Sequence, residues 1–127
     1  MADPRFLLDS NICIYLLEGL SDKARSQVER RAPGELITSM IVYAEVMRGL
    51  REDDARGRAL TDAFFEVVPV VPFDKAAALA FRRVPFRRGG FDRLIAAHAL
   101  ALDLTLITNN PRDFADIAGL RVENWTE

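Results

Sequence analysis

The chain has 127 residues, half of them hydrophobic, with a formal net charge of −2 and a single cysteine. This length suits one domain with a continuous core, so we expect a single domain over residues 1–127. One cysteine excludes a disulfide-stapled scaffold, and no apolar run approaches the roughly 18 residues of a membrane-spanning helix. We therefore expect a soluble, cytoplasmic protein whose surface is not basic throughout.

Short apolar segments alternate with helical patterns along the chain. In order, the pattern predicts a strand over 6–8, helices over 12–17 and 21–31, a strand over 36–38, and helices over 40–50 and 53–65. It continues with a strand over 67–71, a helix over 74–84, a helix over 92–102, a strand over 104–108, a helical turn from 111 and a strand over 120–122. Pro69 and Pro72 favour a sheet edge for the third strand. This alternation predicts a parallel sheet covered by helices on both faces.

Three acids stand out by position. Asp9 follows the first strand, at the carboxyl end where ligands bind in open parallel sheets, although an N-cap of the next helix would also explain it. Glu45 lies in an almost wholly apolar helical segment, which we expect to be buried on all sides. A buried carboxylate is costly unless a cation or strong hydrogen-bond donors compensate its charge. The alternative for Glu45 is an ion pair with Arg48. Asp92 begins an apolar helix, where the helix dipole favours an acid in any case.

Two polar side chains in apolar surroundings have simpler interpretations. Cys13 lies in an apolar stretch, so we expect a small core residue and not a reactive thiol. His98, the only histidine, lies within the apolar helix over 92–102. We expect it to be a hydrogen-bonded core residue and not a catalytic base.

The residues after the fourth strand combine loop chemistry with oxygen ligands. Thr108, Asn110 and Asp113 lie in a Thr-Asn-Asn-Pro-Arg-Asp segment, for which an ordinary loop is a sufficient explanation. Their position at the carboxyl end of a strand keeps them candidates for a site.

A group of arginines brackets Asp92. The guanidinium group suits phosphate, so as a cluster they indicate phosphate binding, whereas a solvated helix face is the alternative for any one of them. Phe86 and Phe91 lie beside them and would stack on bases or else belong to the core or a lid. The group consists of Arg82, Arg83, Arg87, Arg88 and Arg93, and we name Arg82, Arg87, Arg88 and Arg93 as candidate RNA contacts.

Four segments, with a fifth at the end, carry a family resemblance. They read FLLDSNICIY over 6–15, TSMIVYAE over 38–45, DRLIAAHA over 92–99, TNNPRDF over 108–114 and GLRVENW over 119–125. In this order, over nearly the whole chain, they resemble VapC-type toxins of the PIN-domain ribonuclease family. Residues 88–91 depart from the longer glycine-proline loop of many relatives, so contacts of that loop with RNA are not carried over.

The resemblance implies a fold, an activity and partners. The fold is α/β, a PIN-like three-layer α/β/α sandwich with a central parallel sheet of four to five short strands. The activity is that of a type II toxin, an endoribonuclease that depends on Mg²⁺, with Mn²⁺ as a substitute, and hydrolyses RNA with metal-activated water. The partners are a VapB-like antitoxin and a second copy of the chain, in a heterotetramer or larger assembly.

The resemblance also assigns roles to residues. Asp9, Glu45 and Asp92 match the three core acids of the family, and Asp113 is a better match than Asn110 for the fourth. We expect Asp9 and Asp92 to bind metal directly, and Glu45 and Asp113 to bind it or to orient its water. Asn11 matches a polar position that would support Asp9, and Thr108 and Asn110 are the other supporting polar residues.

Two other classes of protein remain open. A receiver-like phosphoacceptor domain that binds Mg²⁺ has a similar length and alternation. It needs an aspartate at the end of a middle strand and a lysine after a late one, but here Pro72 and Phe73 end the third strand and no lysine follows Thr108. A catalytically degenerate PIN-fold binding module would keep the fold without the chemistry, and the intact set of three core acids argues against it.

Overall fold

The computed structural model describes residues 2–88 and 90–127, and its centre is a parallel sheet. Every strand pairs in parallel with its neighbours, in the order β3-β2-β1-β4-β5. The predicted parallel sheet is therefore confirmed. The strands are β1 (Phe6–Leu8), β2 (Leu36–Ser39), β3 (Val70–Val71), β4 (Thr105–Ile107) and β5 (Val122–Glu123).

Helices connect the strands and flank the sheet, as the alternation predicted. Two 3₁₀ turns, Phe81–Arg83 and Pro111–Phe114, extend or replace helical segments. None of the helices in the described ranges has the length and apolar character needed to cross a membrane. The α-helices within those ranges are α1 (Ser10–Glu18), α2 (Asp22–Glu29), α3 (Met40–Arg48), α4 (Ala55–Val67), α5 (Lys75–Ala80) and α6 (Asp92–Leu102).

Local hydrogen bonds fix where most helices begin and end. The Ser21 hydroxyl and the Asp74 carboxylate accept bonds from backbone N–H groups in the first turns of α2 and α5, as their positions predicted. Gly19 ends α1 with a left-handed φ of 68°, a conformation that glycine adopts without strain. These short-range signals explain why the sequence located the helices to within a few residues.

The third strand is shorter than predicted. Val67 is the last residue of α4 and not part of the strand, which is limited to Val70–Val71. Pro69 contributes only its carbonyl oxygen, which accepts the Thr38 N–H at 3.0 Å. The predicted position at the sheet edge is confirmed, because β3 pairs with β2 alone.

The strand order excludes one of the alternatives. Receiver domains share the flavodoxin-like order 2-1-3-4-5, in which the first strand is separated from the fourth. Here β1 lies between β2 and β4. The ends of β1 and β4 are therefore neighbours, and the residues that follow these two strands meet.

The core confirms two side-chain predictions. Cys13 is fully buried, and burial raises the pKa of its thiol above the usual range. His98 is buried with Nδ1 2.8 Å from the Ser39 hydroxyl and its ring edge-on to Phe73. Burial lowers the pKa of His98, which keeps the imidazole neutral at pH 7.

Candidate active site

A polar cavity lies at the carboxyl ends of β1 and β4. Its volume is about 280 Å³. Because Leu8 and Ile107 are paired in register, the residues that follow them enter the same space from two strands, while α3 and α6 supply the rest. The structure thus brings together all four predicted acids and all three predicted supporting residues. They are Asp9, Glu45, Asp92, Asp113, Asn11, Thr108 and Asn110.

Asp9 is both a helix cap and a wall of the cavity. Its carboxylate accepts the Ile12 N–H at 3.0 Å, and only 6% of the residue is exposed. Burial raises the pKa of Asp9 to about 6; the Thr108 side chain and the Ile12 N–H oppose this rise, while the charges of Asp92 and Glu45 add to it. Asp9 therefore caps α1 and lines the cavity at the same time. An ionised Asp9 is costly here without a cation.

This cost predicts that Asp9→Asn stabilises the metal-free protein at high pH. Asparagine can still cap α1, but it carries no buried charge. Because the pKa of Asp9 is raised, folding favours its protonated form. The contribution of Asp9 to folding stability is therefore complete below about pH 4 and is lost as the pH rises through about 6. The change from 3.8 to about 6 corresponds to roughly 3 kcal/mol. We expect the variant to be more stable by up to that amount at pH 8 and equal to the wild type at pH 4, in denaturant titrations with chelator. Equal stability at pH 8 would contradict the charge argument.

Glu45 reaches the cavity from α3, and one expectation about this helix was wrong. Met40 is 45% exposed, and only Val42 and Val46 are buried, so α3 presents one face to the core and one outward. Glu45 itself is half-buried. Its carboxylate accepts the Ser10 hydroxyl at 2.6 Å, and no ion pair with Arg48 forms among the described residues. Glu45 is therefore a cavity residue held by a hydrogen bond, not a carboxylate in a fully buried helix.

Ser10 is a site residue that the sequence analysis missed. It is buried, lines the cavity and is the first residue of α1, directly after Asp9. Its one sequence signal is that a hydroxyl follows the predicted strand-end acid. Only the packing of α1 beside α3 shows that this hydroxyl meets Glu45, 35 residues away.

For the ribonuclease activity that the resemblance implies, we expect Ser10→Ala to reduce turnover about tenfold, because Glu45 loses the charge-assisted bond that orients it. The KM should change little, since Ser10 acts through Glu45. The matched control is Ser26→Ala, on an exposed position of α2, which should leave turnover unchanged. Steady-state cleavage of a labelled RNA measures both parameters. Wild-type turnover in a folded Ser10→Ala protein would contradict this role.

Asp92 and Asp113 form another part of the cavity wall. Asp92 is the first residue of α6, as predicted. Partial burial raises the pKa of Asp92, and the nearby Asp113 carboxylate adds to the rise while Arg93 opposes it. The Asp113 carboxylate accepts the Asn110 amide at 2.8 Å. Asn110 and Asp113 are thus hydrogen-bonded partners at this wall.

The supporting amides are arranged differently from what we expected. The Asn11 amide lies 3.5 Å from the side-chain oxygen of Asn109, and the Asn109 amide donates to the Tyr15 hydroxyl at 3.1 Å. Asn109, which the sequence analysis did not single out, therefore links α1 to the loop after β4. Thr108 is buried, and its hydroxyl accepts the Asn110 N–H at 3.1 Å.

The arginines divide into two groups. Arg93 is buried; it pairs with Asp116 at 3.0 Å and donates to the Asp113 carbonyl oxygen at 2.8 Å, so the structure does not support it as a free RNA contact. Arg87 and Arg88 are exposed and line a second cavity of about 220 Å³ that shares Asp92 and Asp113 with the first, and Arg87 also pairs with Asp116 at 3.2 Å. Arg82, also a predicted RNA contact, is exposed on the turn Phe81–Arg83, outside the residues that line either cavity.

The donor set suits a hard divalent cation, although it does not form a closed cage. Across residues 2–88 and 90–127, no group of three acidic, histidine or cysteine side chains has the spacing of a ready-made metal site. Asp9, Glu45 and Asp113 are each hydrogen-bonded within the chain instead. Mg²⁺ is usually held by one or two carboxylates with several waters, so open carboxylates around a polar cavity fit it. The raised pKa values of Asp9 and Asp92 indicate acids that a cation would stabilise in the charged form.

Comparison with known proteins gives matches over nearly the whole chain. The PIN domain family matches residues 6–120, which include all four acids. The "tRNA(fMet)-specific endonuclease VapC" of Shigella flexneri is 31% identical, over 96% of this chain and 98% of that protein. A solved structure of DNA-bound VapBC from Salmonella typhimurium has a TM-score of 0.85 at 27% identity, over 96% of this chain and 98% of that one. A solved structure of VapBC2 from Rickettsia felis, bound to a promoter DNA fragment, has a TM-score of 0.83 at 28% identity, over 94% of this chain and 98% of that one.

These matches agree with one another and with the geometry. The family match and the relatives cover the chain nearly from end to end, and the solved structures share its fold. The four acids that the resemblance assigned lie within the matched region and around one cavity. The chain therefore belongs to the PIN-domain family, as a protein of the VapC type.

Proposed function

We propose that this chain is the toxin of a VapBC-type toxin-antitoxin system, and that it is a Mg²⁺-dependent endoribonuclease. The observation that carries the proposal is the convergence of Asp9, Glu45, Asp92 and Asp113 on one cavity from four separate parts of the chain. The names of the relatives, ribonuclease and endonuclease VapC, support the reaction class. Mn²⁺ should substitute for Mg²⁺, because both prefer oxygen ligands.

Each acid has a part in this reaction. Asp9 and Asp92 would hold the cation, which supplies acidification of a water and stabilisation of the charge that grows on the phosphate oxygens. Glu45 and Asp113 would bind the cation as well or orient its water, since both residues line the same cavity. Ser10 and Asn110 hold these two carboxylates through their hydrogen bonds.

Water is the nucleophile that the described part of the chain favours. The Ser10 hydroxyl donates to the Glu45 carboxylate at 2.6 Å, and we assign it the role of holding that carboxylate. Burial raises the pKa of the Cys13 thiol above its usual range, so a thiolate does not form near neutral pH. Hydrolysis by an oriented water needs no covalent intermediate on the protein.

The test is cleavage of a labelled total-RNA pool by purified, antitoxin-free protein. We expect cutting at discrete sites with Mg²⁺ or Mn²⁺ and none with chelator, and sequencing of the new ends would identify the target. Folded, metal-loaded protein that cuts nothing in this pool would favour a catalytically degenerate binding module.

We also propose that a VapB-like antitoxin encoded beside this chain inhibits it, and that the toxin forms a homodimer within the complex. The solved VapBC complexes support the partner. An acidic cavity beside exposed apolar side chains suits an extended segment with a basic side chain. Addition of the purified neighbour-encoded protein in equal amount should stop RNA cleavage. Undiminished cleavage at saturating partner would contradict this pairing.

A further inference from the structure

An apolar cavity adjoins the acidic one. It has a volume of about 440 Å³ and lies between α3 and the residues that precede α6. Glu45 and Gly90 line both cavities, so the two spaces are neighbours at these residues. The remaining wall of the apolar cavity is formed by Ile41, Ala44, Arg48 and Phe91.

The side chains of this apolar cavity suit a flat aromatic ligand with a phosphate beside it. Phe91 is 49% exposed, although a phenyl ring is normally buried. Exposed aromatic rings are the usual platforms on which unpaired bases stack. Arg48 is exposed, and no carboxylate of residues 2–88 or 90–127 lies within ion-pair distance of it, so its guanidinium is available to a phosphate.

Gly90 lines three neighbouring cavities. On one side lies the cavity of Arg87 and Arg88, in the middle the acidic cavity, and on the other side the apolar cavity of Phe91. This order of basic, acidic and apolar surfaces matches a short RNA segment, with an outer phosphate, the phosphate to be cut and a base between or beside them. Apart from its chain neighbours, a Cβ at Gly90 would meet no atom of the described residues within 4 Å.

We propose that the cavity between α3 and Phe91 is a nucleobase subsite for the substrate RNA. It holds the unpaired base next to the phosphate to be cut, with Phe91 stacked on the base and Arg48 against the neighbouring backbone. The inference rests on the proposed function and deepens it, because a base can enter this cavity only from an unpaired segment. Proximity to the acids and the flanking arginines favour a polyanion as the occupant over a second copy of this chain, whose net charge is −2.

The first experiment places a fluorescent reporter in the cavity. The only natural tryptophan, Trp125, is 2% exposed, so in Phe91→Trp the new indole supplies the emission that responds to ligand. The probes are a short single-stranded RNA and an abasic oligomer of the same length and charge, both with chelator so that nothing is cut. We expect the RNA to quench the emission that the Phe91→Trp substitution adds, and the abasic oligomer to leave that emission unchanged.

The matched control fills the cavity. Ala44→Leu in the Phe91→Trp background occupies the space with a good helix former and should abolish quenching. Ala63→Leu, at an exposed position of α4 away from all three cavities, should not. In binding assays, Phe91→Ala should lower the affinity for the RNA about tenfold, the order expected for one stacked base. The affinity for the abasic oligomer should not change.

Two results would overturn the subsite. Equal responses to both oligomers would mean that the cavity does not bind a base. Emission that shifts with protein concentration in the absence of RNA would mean that a second copy covers it. Both readouts are independent of cleavage. If the subsite is overturned while the wild type still cuts RNA, the proposed function stands. If the wild type cuts nothing with Mg²⁺, the proposed function is contradicted.

Discussion

Asp9→Asn and Asp92→Asn are each expected to lower RNA cleavage by more than about a hundredfold. Removal of a residue that merely orients a metal ligand typically costs 10- to 100-fold, and loss of a ligand charge should cost more. Both changes keep the size of the side chain, and Asp9→Asn keeps an acceptor for the Ile12 N–H. The fold should therefore persist while cation binding weakens. Isothermal titration with Mg²⁺ or Mn²⁺ and single-turnover cleavage measure the two effects.

The matched control is Asp103→Asn, the same change at the other end of α6. Asp103 is exposed and ends that helix with a left-handed φ of 56°, which asparagine tolerates. This variant should cut RNA as fast as the wild type. If Asp9→Asn and Asp92→Asn both retained cation binding and cleavage, the four-acid assignment would be wrong.

The second large effect separates a structural arginine from one that binds RNA. In Arg93→Met the Asp113 carbonyl oxygen loses the donor of a part-buried hydrogen bond, which costs about 1 kcal/mol, the usual net contribution of one such bond. The turn that carries Asp113 loses its anchor to α6, so cleavage should fall at least about tenfold. The slope of RNA affinity against salt concentration should not change, because Arg93 does not reach a phosphate.

Arg88→Met should show the reverse pattern. Arg88 is exposed and has no ion-pair partner among residues 2–88 and 90–127. Its loss should leave thermal stability unchanged, weaken RNA binding and reduce the salt slope by about one phosphate contact. Thermal melts and RNA binding at several salt concentrations test both variants together. A reduced salt slope in Arg93→Met with unchanged stability would restore Arg93 as an RNA contact.

Much of the fold was readable from local sequence because local forces produce it. Three consecutive apolar residues before Asp9 form a buried strand, a serine or aspartate caps a helix, and Gly19 ends one. Each of these signals acts within about one turn of chain. The strand at the proline-flanked edge was also predicted, but its length was not, because α4 extends to Val67 and leaves only two residues to pair.

The identities of the four candidate acids came from the sequence, whereas Ser10 and Asn109 were found only in the structure. Strand-end position and family resemblance brought forward Asp9, Glu45, Asp92 and Asp113, and the structure places them around one cavity. Composition wrongly suggested that α3 is buried on all sides, because apolar content does not reveal which face a neighbouring helix covers.

What the sequence by itself determined is therefore the set of elements and the kinds of side chain at their ends. Only the tertiary structure decided which of these side chains meet. The Ser10 bond to Glu45 spans 35 residues, and the Arg93 contact with Asp116 spans 23. Such contacts depend on the packing of helices on a sheet, which places distant residues within hydrogen-bond distance and leaves Arg88 and Phe91, close in sequence to Arg93, exposed at the rim.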